Sequence, residues 1–205
     1  MVMSLRVVVP PHPLIAHWLT MLRASATPAA LYATGLEELG RWLTYEAIRD
    51  WLPYRKEEVL TENGVTEGTV IQAEIPILAI PILPGGLHLW TGARKVLPNA
   101  QLCLEGIPSG ITAKEGVIVF ADQLANISVL TDFLTKLESQ EVEANRIRII
   151  TTVTSSPGLS ILAKKFPEIT IHCACIDPET TVDGEIKPGI GNPILRLNTR
   201  TSSSN

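Results

Sequence analysis

Between Ile75 and Ile176, apolar runs of strand length alternate with amphipathic stretches of helical length, and this alternation limits the possible folds more than any other feature. Ile75–Leu83 (IPILAIPIL) is an unbroken apolar run, as expected of a strand covered on both faces. Gly86–Leu97 suits a helix, while Ala100–Gly106 and Gly116–Phe120 suit short strands. Leu124–Glu138 carries Leu124, Val129, Leu130, Phe133, Leu134 and Leu137 at helical spacing. Arg146–Val153 then reads as strand, Ser156–Phe166 as helix and Ile169–Ile176 as strand. Strands separated by helices require crossovers, so the expectation is an α/β fold with a mostly parallel sheet flanked by helices.

A pair of helices precedes this part. His12–Arg23 opens with a proline suited to a first helical turn, and Leu14, Ile15, Trp18, Leu19 and Leu22 share one face. Pro28–Asp50 repeats the pattern through Leu31, Leu36, Leu39, Leu43 and Ala47, and Pro53 is expected to end it. Asn63-Gly64 predicts a hairpin turn before Val65–Ala73. At the other end, Asp177–Leu197 is rich in glycine and proline and reads as a loop, and Thr199–Asn205 as a disordered polar tail. Residues 1–198 are expected to form one domain, with no repeats and no linker.

Charge and composition exclude several roles. The net charge is −4, with no clustered lysine or arginine, so nucleic acid is not an expected partner. No stretch approaches the ~18 uncharged apolar residues of a membrane span. Cys103, Cys173 and Cys175 form no even framework and read as buried thiols in strands, in a reducing cytoplasm. His12, His17, His88 and His172 lack metal-ligand spacing and suit capping or packing. Asp132, Glu138, Glu141 and Glu143 read as a solvated face. Trp18, Trp42 and Trp51, all in or just after the first two helices, suit a core or an interface.

The segment Val117–Ser128 (VIVFADQLANIS) is the informative exception to the regular rhythm. In an open α/β sheet, a strand running into a turn and a helix is where phosphate is commonly held, on backbone N–H groups made accessible by glycine. This turn has no glycine.

Several segments resemble uracil phosphoribosyltransferase, a type I phosphoribosyltransferase. They are His12–Arg23, Leu36–Asp50 (LEELGRWLTYEAIRD), Ile80–Leu87 (IPILPGGL), Pro98–Leu102 (PNAQL) and Ile176–Arg196, the last with Ile186, Pro188, Gly189, Gly191 and Arg196 in place. The resemblance implies the type I fold, a dimer, and attack of uracil on phosphoribosyl pyrophosphate with loss of pyrophosphate. A protein doing this must hold anions, magnesium and base in line.

Measured against that family, the substrate loops are altered. The acidic position of the 5′-phosphate loop falls on Ala121, with Asp122 one place later, and the turn reads Ala125-Asn126-Ile127-Ser128. Ile127 is β-branched where the backbone must come close; Asn126 or Ser128 suits a helix cap. In the pyrophosphate loop Pro84 stands for an arginine, beside Gly85 and Gly86, which suit a plain strand-to-helix turn. Arg94 and Lys95 read as charges near a helix end. The lid is reduced to Glu105–Gly116. In the uracil loop, Ile186 and Gly191 match positions that read uracil through backbone groups. Asn192 replaces an aspartate associated with magnesium, Leu195 a second aspartate, and Glu185 an aromatic residue.

The expectation is therefore a uracil-phosphoribosyltransferase-like protein with vestigial loops, no catalytic residue, and no resident cofactor or metal. Its role would be binding or assembly, as a homodimer or with an unidentified protein partner, with weak binding of uracil, a nucleotide or phosphoribosyl pyrophosphate. The alternative is a divergent but active enzyme of pyrimidine salvage that uses Asp122, Asn126 and Ser128 and requires magnesium. A purely structural subunit is a third reading.

Overall fold

The computed structural model describes residues 5–72, 76–97, 99–112, 115–125 and 127–198. Its elements in chain order are β1 (Arg6–Val8), α1 (Pro13–Arg23), α2 (Ala29–Ala47), β2 (Tyr54–Thr61), β3 (Gly64–Ile71), β4 (Ile77–Pro81), α3 (Gly85–Ala93) and β5 (Gln101–Leu102). Then come β6 (Gly116–Leu124), α4 (Ile127–Ser139), β7 (Ile147–Ser155), α5 (Ser156–Lys165), β8 (Thr170–Asp177), β9 (Glu179–Thr180), β10 (Ile186–Lys187) and α6 (Pro193–Leu197). Strands β1, β8, β7, β6, β4 and β5 form one sheet in that order, and every neighbouring pair is parallel.

Strand alternation divides the core between the two faces. Ala79, Ile118, Phe120 and Ile150 meet Leu22, Leu36, Leu39, Leu43, Leu89 and Trp90 from α1, α2 and α3. Leu78, Ile80, Val117, Val119, Ile149 and Ile171 meet Leu130, Leu134 and Leu137 of α4 and Leu162 of α5. Every residue of β4 is buried, which accounts for its unbroken apolar run.

Several boundaries differ from the sequence reading. Helix α2 stops at Ala47, six residues before Pro53, so proline is not what ends it. The expected strand Ala100–Gly106 shrinks to two paired residues, and β1, a strand of only three residues, was not legible from its pattern. The glycine- and proline-rich end holds the β9–β10 pair and α6 rather than loop alone. Cys173 is buried in β8, its thiol pushed up to about 12 by burial, but Cys103 and Cys175 are only half-buried. His12 does cap α1, its Nδ1 accepting from Leu14 N at 3.1 Å, and it stacks on Trp42. His172 is buried and pushed down to about 4 by burial and the nearby Arg148. Trp18, Trp42 and Trp51 all pack half-buried against the core. Pro98 and the tail 199–205 lie outside the described residues.

Helices α2 and α3 touch backbone to backbone. A Cβ on Gly40 would stand 2.0 Å from the Leu89 carbonyl oxygen, and one on Gly92 would stand 1.7 Å from that of Glu37. No side-chain rotation relieves such a clash. Gly92→Ala is therefore expected to destabilise by about 1–3 kcal/mol through overpacking, despite alanine's better helix propensity. Denaturant unfolding checks it; an unchanged or higher midpoint would show that the helices can separate freely.

Candidate functional site

A cavity of about 360 Å³ opens at the carboxyl ends of β4 and β6. From β4 the chain leads through α3 to β5 on one side, whereas β6 leads through α4 to β7 on the other. The cavity thus occupies the point where strand order reverses, the usual ligand crevice of an open parallel sheet. Its polar walls come from Asp122, Gln123, Asp183, Glu185 and Asn192, with Pro84 among the apolar ones. No lysine, arginine or histidine lines it among the described residues. A groove of about 380 Å³ adjoins it, sharing Ala125, Asp183 and Gly184, and reaches Ile127 and the start of α5.

The strand-to-helix junction corrects the sequence reading. Strand β6 continues past the expected turn to Leu124, with Gln123 and Leu124 paired to Val153 and Thr154 of β7. Helix α4 begins at Ile127, leaving only Ala125 and Asn126 between the two elements. Asp122 is thus a strand residue. Asn126 lies outside the described residues. Ile127 is buried, and a Cβ on Gly158 of α5 would approach its Cδ1 to 2.9 Å. Ser128 is exposed in the first turn of α4.

Asp122 also reaches the turn between β4 and α3. Its Oδ2 would lie 2.0 Å from a Cβ on Gly85, so the carboxylate rests on the first residue of α3. Its Oδ1 accepts from Gln123 N at 2.7 Å, and Thr152 donates its hydroxyl to the Asp122 carbonyl. A negative group at this helix start is favourable, because the positive end of the helix dipole points there. Gly86 N donates to Ile82 O at 2.9 Å, and a Cβ on Gly86 would meet the Phe120 carbonyl at 2.3 Å. The two glycines thus serve a tight turn and close packing, as the plain reading of them expects. Pro84 precedes them as the N-cap of α3.

The uracil-loop residues are held by a polar frame of which only Arg196 stood out in the sequence. Asp177, buried at the end of β8, accepts from Arg23 at 2.6 Å and from Gly189 N at 2.9 Å. The Arg196 guanidinium lies 4.4 Å from the Tyr32 ring centre and donates to the carbonyls of Leu22 and Ala24 at 2.6 and 2.7 Å. Those carbonyls belong to the end of α1, where a cation is favourable. Ile186 is buried on β10 rather than lining the cavity. Gly191 has φ +75, and its carbonyl accepts from Gln123 Nε2 at 3.1 Å. Asn192 turns its Oδ1 to Leu195 N at 3.2 Å, capping α6. Of the residues singled out from sequence, the cavity therefore gathers Pro84, Ala121, Asp122, Ala125, Glu185 and Asn192, with Gly191 reached through Gln123. Asp177 had one faint signal, a lone charge closing an apolar strand; Gln123 had none.

No group of three or more histidine, cysteine, aspartate or glutamate side chains among the described residues could hold a metal, and Asn192 is neutral and engaged as a cap.

Burial raises the Asp122 pKa above the ordinary carboxylate range. The native state therefore keeps this proton where the unfolded chain has lost it, so the group's contribution to stability falls as pH rises from the ordinary value through the raised one. Asp122→Asn removes that dependence. Its denaturation midpoint relative to the unmodified protein is expected to climb from acid to neutral pH and then level off; a flat difference would contradict the burial argument.

Comparison with known proteins places this arrangement in a lineage. The family model "Uracil phosphoribosyltransferase" matches residues 9–194. A uracil phosphoribosyltransferase of Nostoc sp. is 35% identical over 208 residues, covering 94% of this chain and 96% of the relative. One of Nicotiana tabacum is 32% identical, covering 91% and 90%. The solved structure of the AQ2163 protein from Aquifex aeolicus superposes with a TM-score of 0.80 at 28% identity, covering 93% of this chain and 97% of that one. With its parallel sheet, its cleft at the strand-order reversal and sequence similarity over nearly its whole length, the chain belongs to the uracil phosphoribosyltransferase family.

Proposed function

We propose that this chain keeps the family's cleft as a binding site for an uncharged pyrimidine base and has lost the capacity to hold phosphoribosyl pyrophosphate, acting as a binding or regulatory protein. The observation carrying this reading is the electrostatics of the cavity: three carboxylates face it and no cation does among its described lining residues. A carboxylate and a phosphate ~5 Å apart repel by about 3 kcal/mol at an effective dielectric constant of ~20. Exposure of Asp183 and Glu185 reduces their share, but Asp122 is half-buried and already rests at the helix start a ligand anion would need. A base, being neutral, meets no such barrier.

The second reading is a divergent, active uracil phosphoribosyltransferase of pyrimidine salvage. Relatives of that name at 35% identity along nearly their full length favour it. Magnesium would then arrive with the pyrophosphate rather than on side chains of the protein.

The remaining parts of the proposal concern the whole molecule. Residues 1–198 act as one domain in the cytoplasm, where three free thiols suit a reducing medium. The chain is a homodimer. The β2–β3 ribbon supports this: it is exposed nearly throughout, carries outward apolar side chains such as Leu60 and Val65, and a lone two-stranded ribbon is marginal in water.

Two measurements test these statements. Incubation with labelled uracil, phosphoribosyl pyrophosphate and magnesium is expected to yield no uridine monophosphate above the blank, beside an authentic enzyme; product well above it would establish the second reading. Light scattering is expected to give about twice the 22.3 kDa of one chain. The mass of a single chain would remove the dimer.

A further inference from the structure

We propose that Gln123 is a built-in occupant of the base site: its carboxamide takes the hydrogen bond that a pyrimidine would make to the Gly191 carbonyl, and so sets how tightly the cleft binds a base. The inference rests on the reading of the cleft as a base site and goes beyond it by naming the residue that controls occupancy.

The geometry is specific. Gln123 lines the cavity, and its Nε2 stands 3.1 Å from the Gly191 oxygen, joining β6 to the loop after β10 across 68 residues of sequence. A carbonyl can only accept, so the NH₂ end of the carboxamide must face it. That end presents an N–H beside a C=O, the same pattern as the imide edge of uracil. The other polar walls are acceptors, namely the carboxylates of Asp122, Asp183 and Glu185. Among the described lining side chains only Gln123 and Asn192 carry N–H donors, and Asn192 engages α6 through its Oδ1. The Gly191 oxygen, held by a side chain that lines the cavity, is an uncharged acceptor at its edge.

The tether makes Gln123 an effective competitor. Its backbone is paired with Val153 in the ladder between β6 and β7, so the carboxamide is held beside the loop and competes as an intramolecular group. Asp177 and Arg196 hold the opposite side, fixing Gly189 and the chain around Gly191. A base entering the cleft must displace the carboxamide before it gains its own bond.

Equilibrium dialysis of labelled uracil tests this on the full chain, with Gln123→Ala and Gln123→Met, the second keeping the length of the side chain without its donor. Both variants are expected to bind uracil about three- to tenfold more tightly than the unmodified protein, the range of one neutral hydrogen bond. Circular dichroism verifies their folding. In the unmodified protein, saturating uracil is expected to move the Gln123 side-chain amide resonances in nitrogen-15 spectra, which a merely structural glutamine would not show. Equal affinity in folded variants, or unmoved resonances at saturation, overturns the role of Gln123 while leaving the base site standing. If no form binds uracil, the base site and this proposal fall together.

Discussion

The hydrogen-bond ladder between β6 and β7 continues past the point where a phosphate loop would begin, and most of the site follows from that. With Gln123 and Leu124 paired to Val153 and Thr154, only two residues remain to reach α4. Strand geometry then sends successive side chains to different places: Asp122 onto Gly85 and Gln123 toward Gly191. Ile127, entering α4 at once, packs beside Gly158. One local extension of a sheet thus places a negative charge, a donor and an apolar contact around a single crevice.

The loop facing this edge keeps its shape by other means. Asp177 and Arg196 reach it from the end of β8 and from α6, and each is satisfied by partners far away in sequence. A buried charge such as Asp177 is tolerated only with such partners, and removing Arg23 would strand it. The Arg196 contacts involve the end of α1 and the Tyr32 ring, so the helical pair at the start of the chain supports the loop near its end. The glycines and proline of 188–191 thus lie in a loop braced from both ends of the chain.

What the sequence made legible and what it left hidden divide along physical lines. The parallel sheet, the helical pair and the hairpin were legible because burial on two faces, a 3.6-residue repeat and Asn63-Gly64 each leave a local pattern. The changed loops were legible as missing residue types: no glycine at 125–128, and proline at 84. The end of β6 was not, because Asp122 and Gln123 are poor strand formers drawn in by the neighbouring strand. The roles of Gln123 and Asp177 depend on partners 68 and 154 residues away, and no single-sequence pattern reports such distances.

The contact between α2 and α3 gives the cleft one stiff wall. Because Gly40 and Gly92 bring the two helices together at backbone distance, the Pro84–Gly86 turn at the head of α3 has little room to retreat. The opposite wall hangs from side-chain hydrogen bonds and two short strands. Change in what this cleft accepts is therefore unequally open to its two sides: substitutions at 177–198 can reshape it by degrees, whereas the α3 side is restricted to variants that leave the helix where it is.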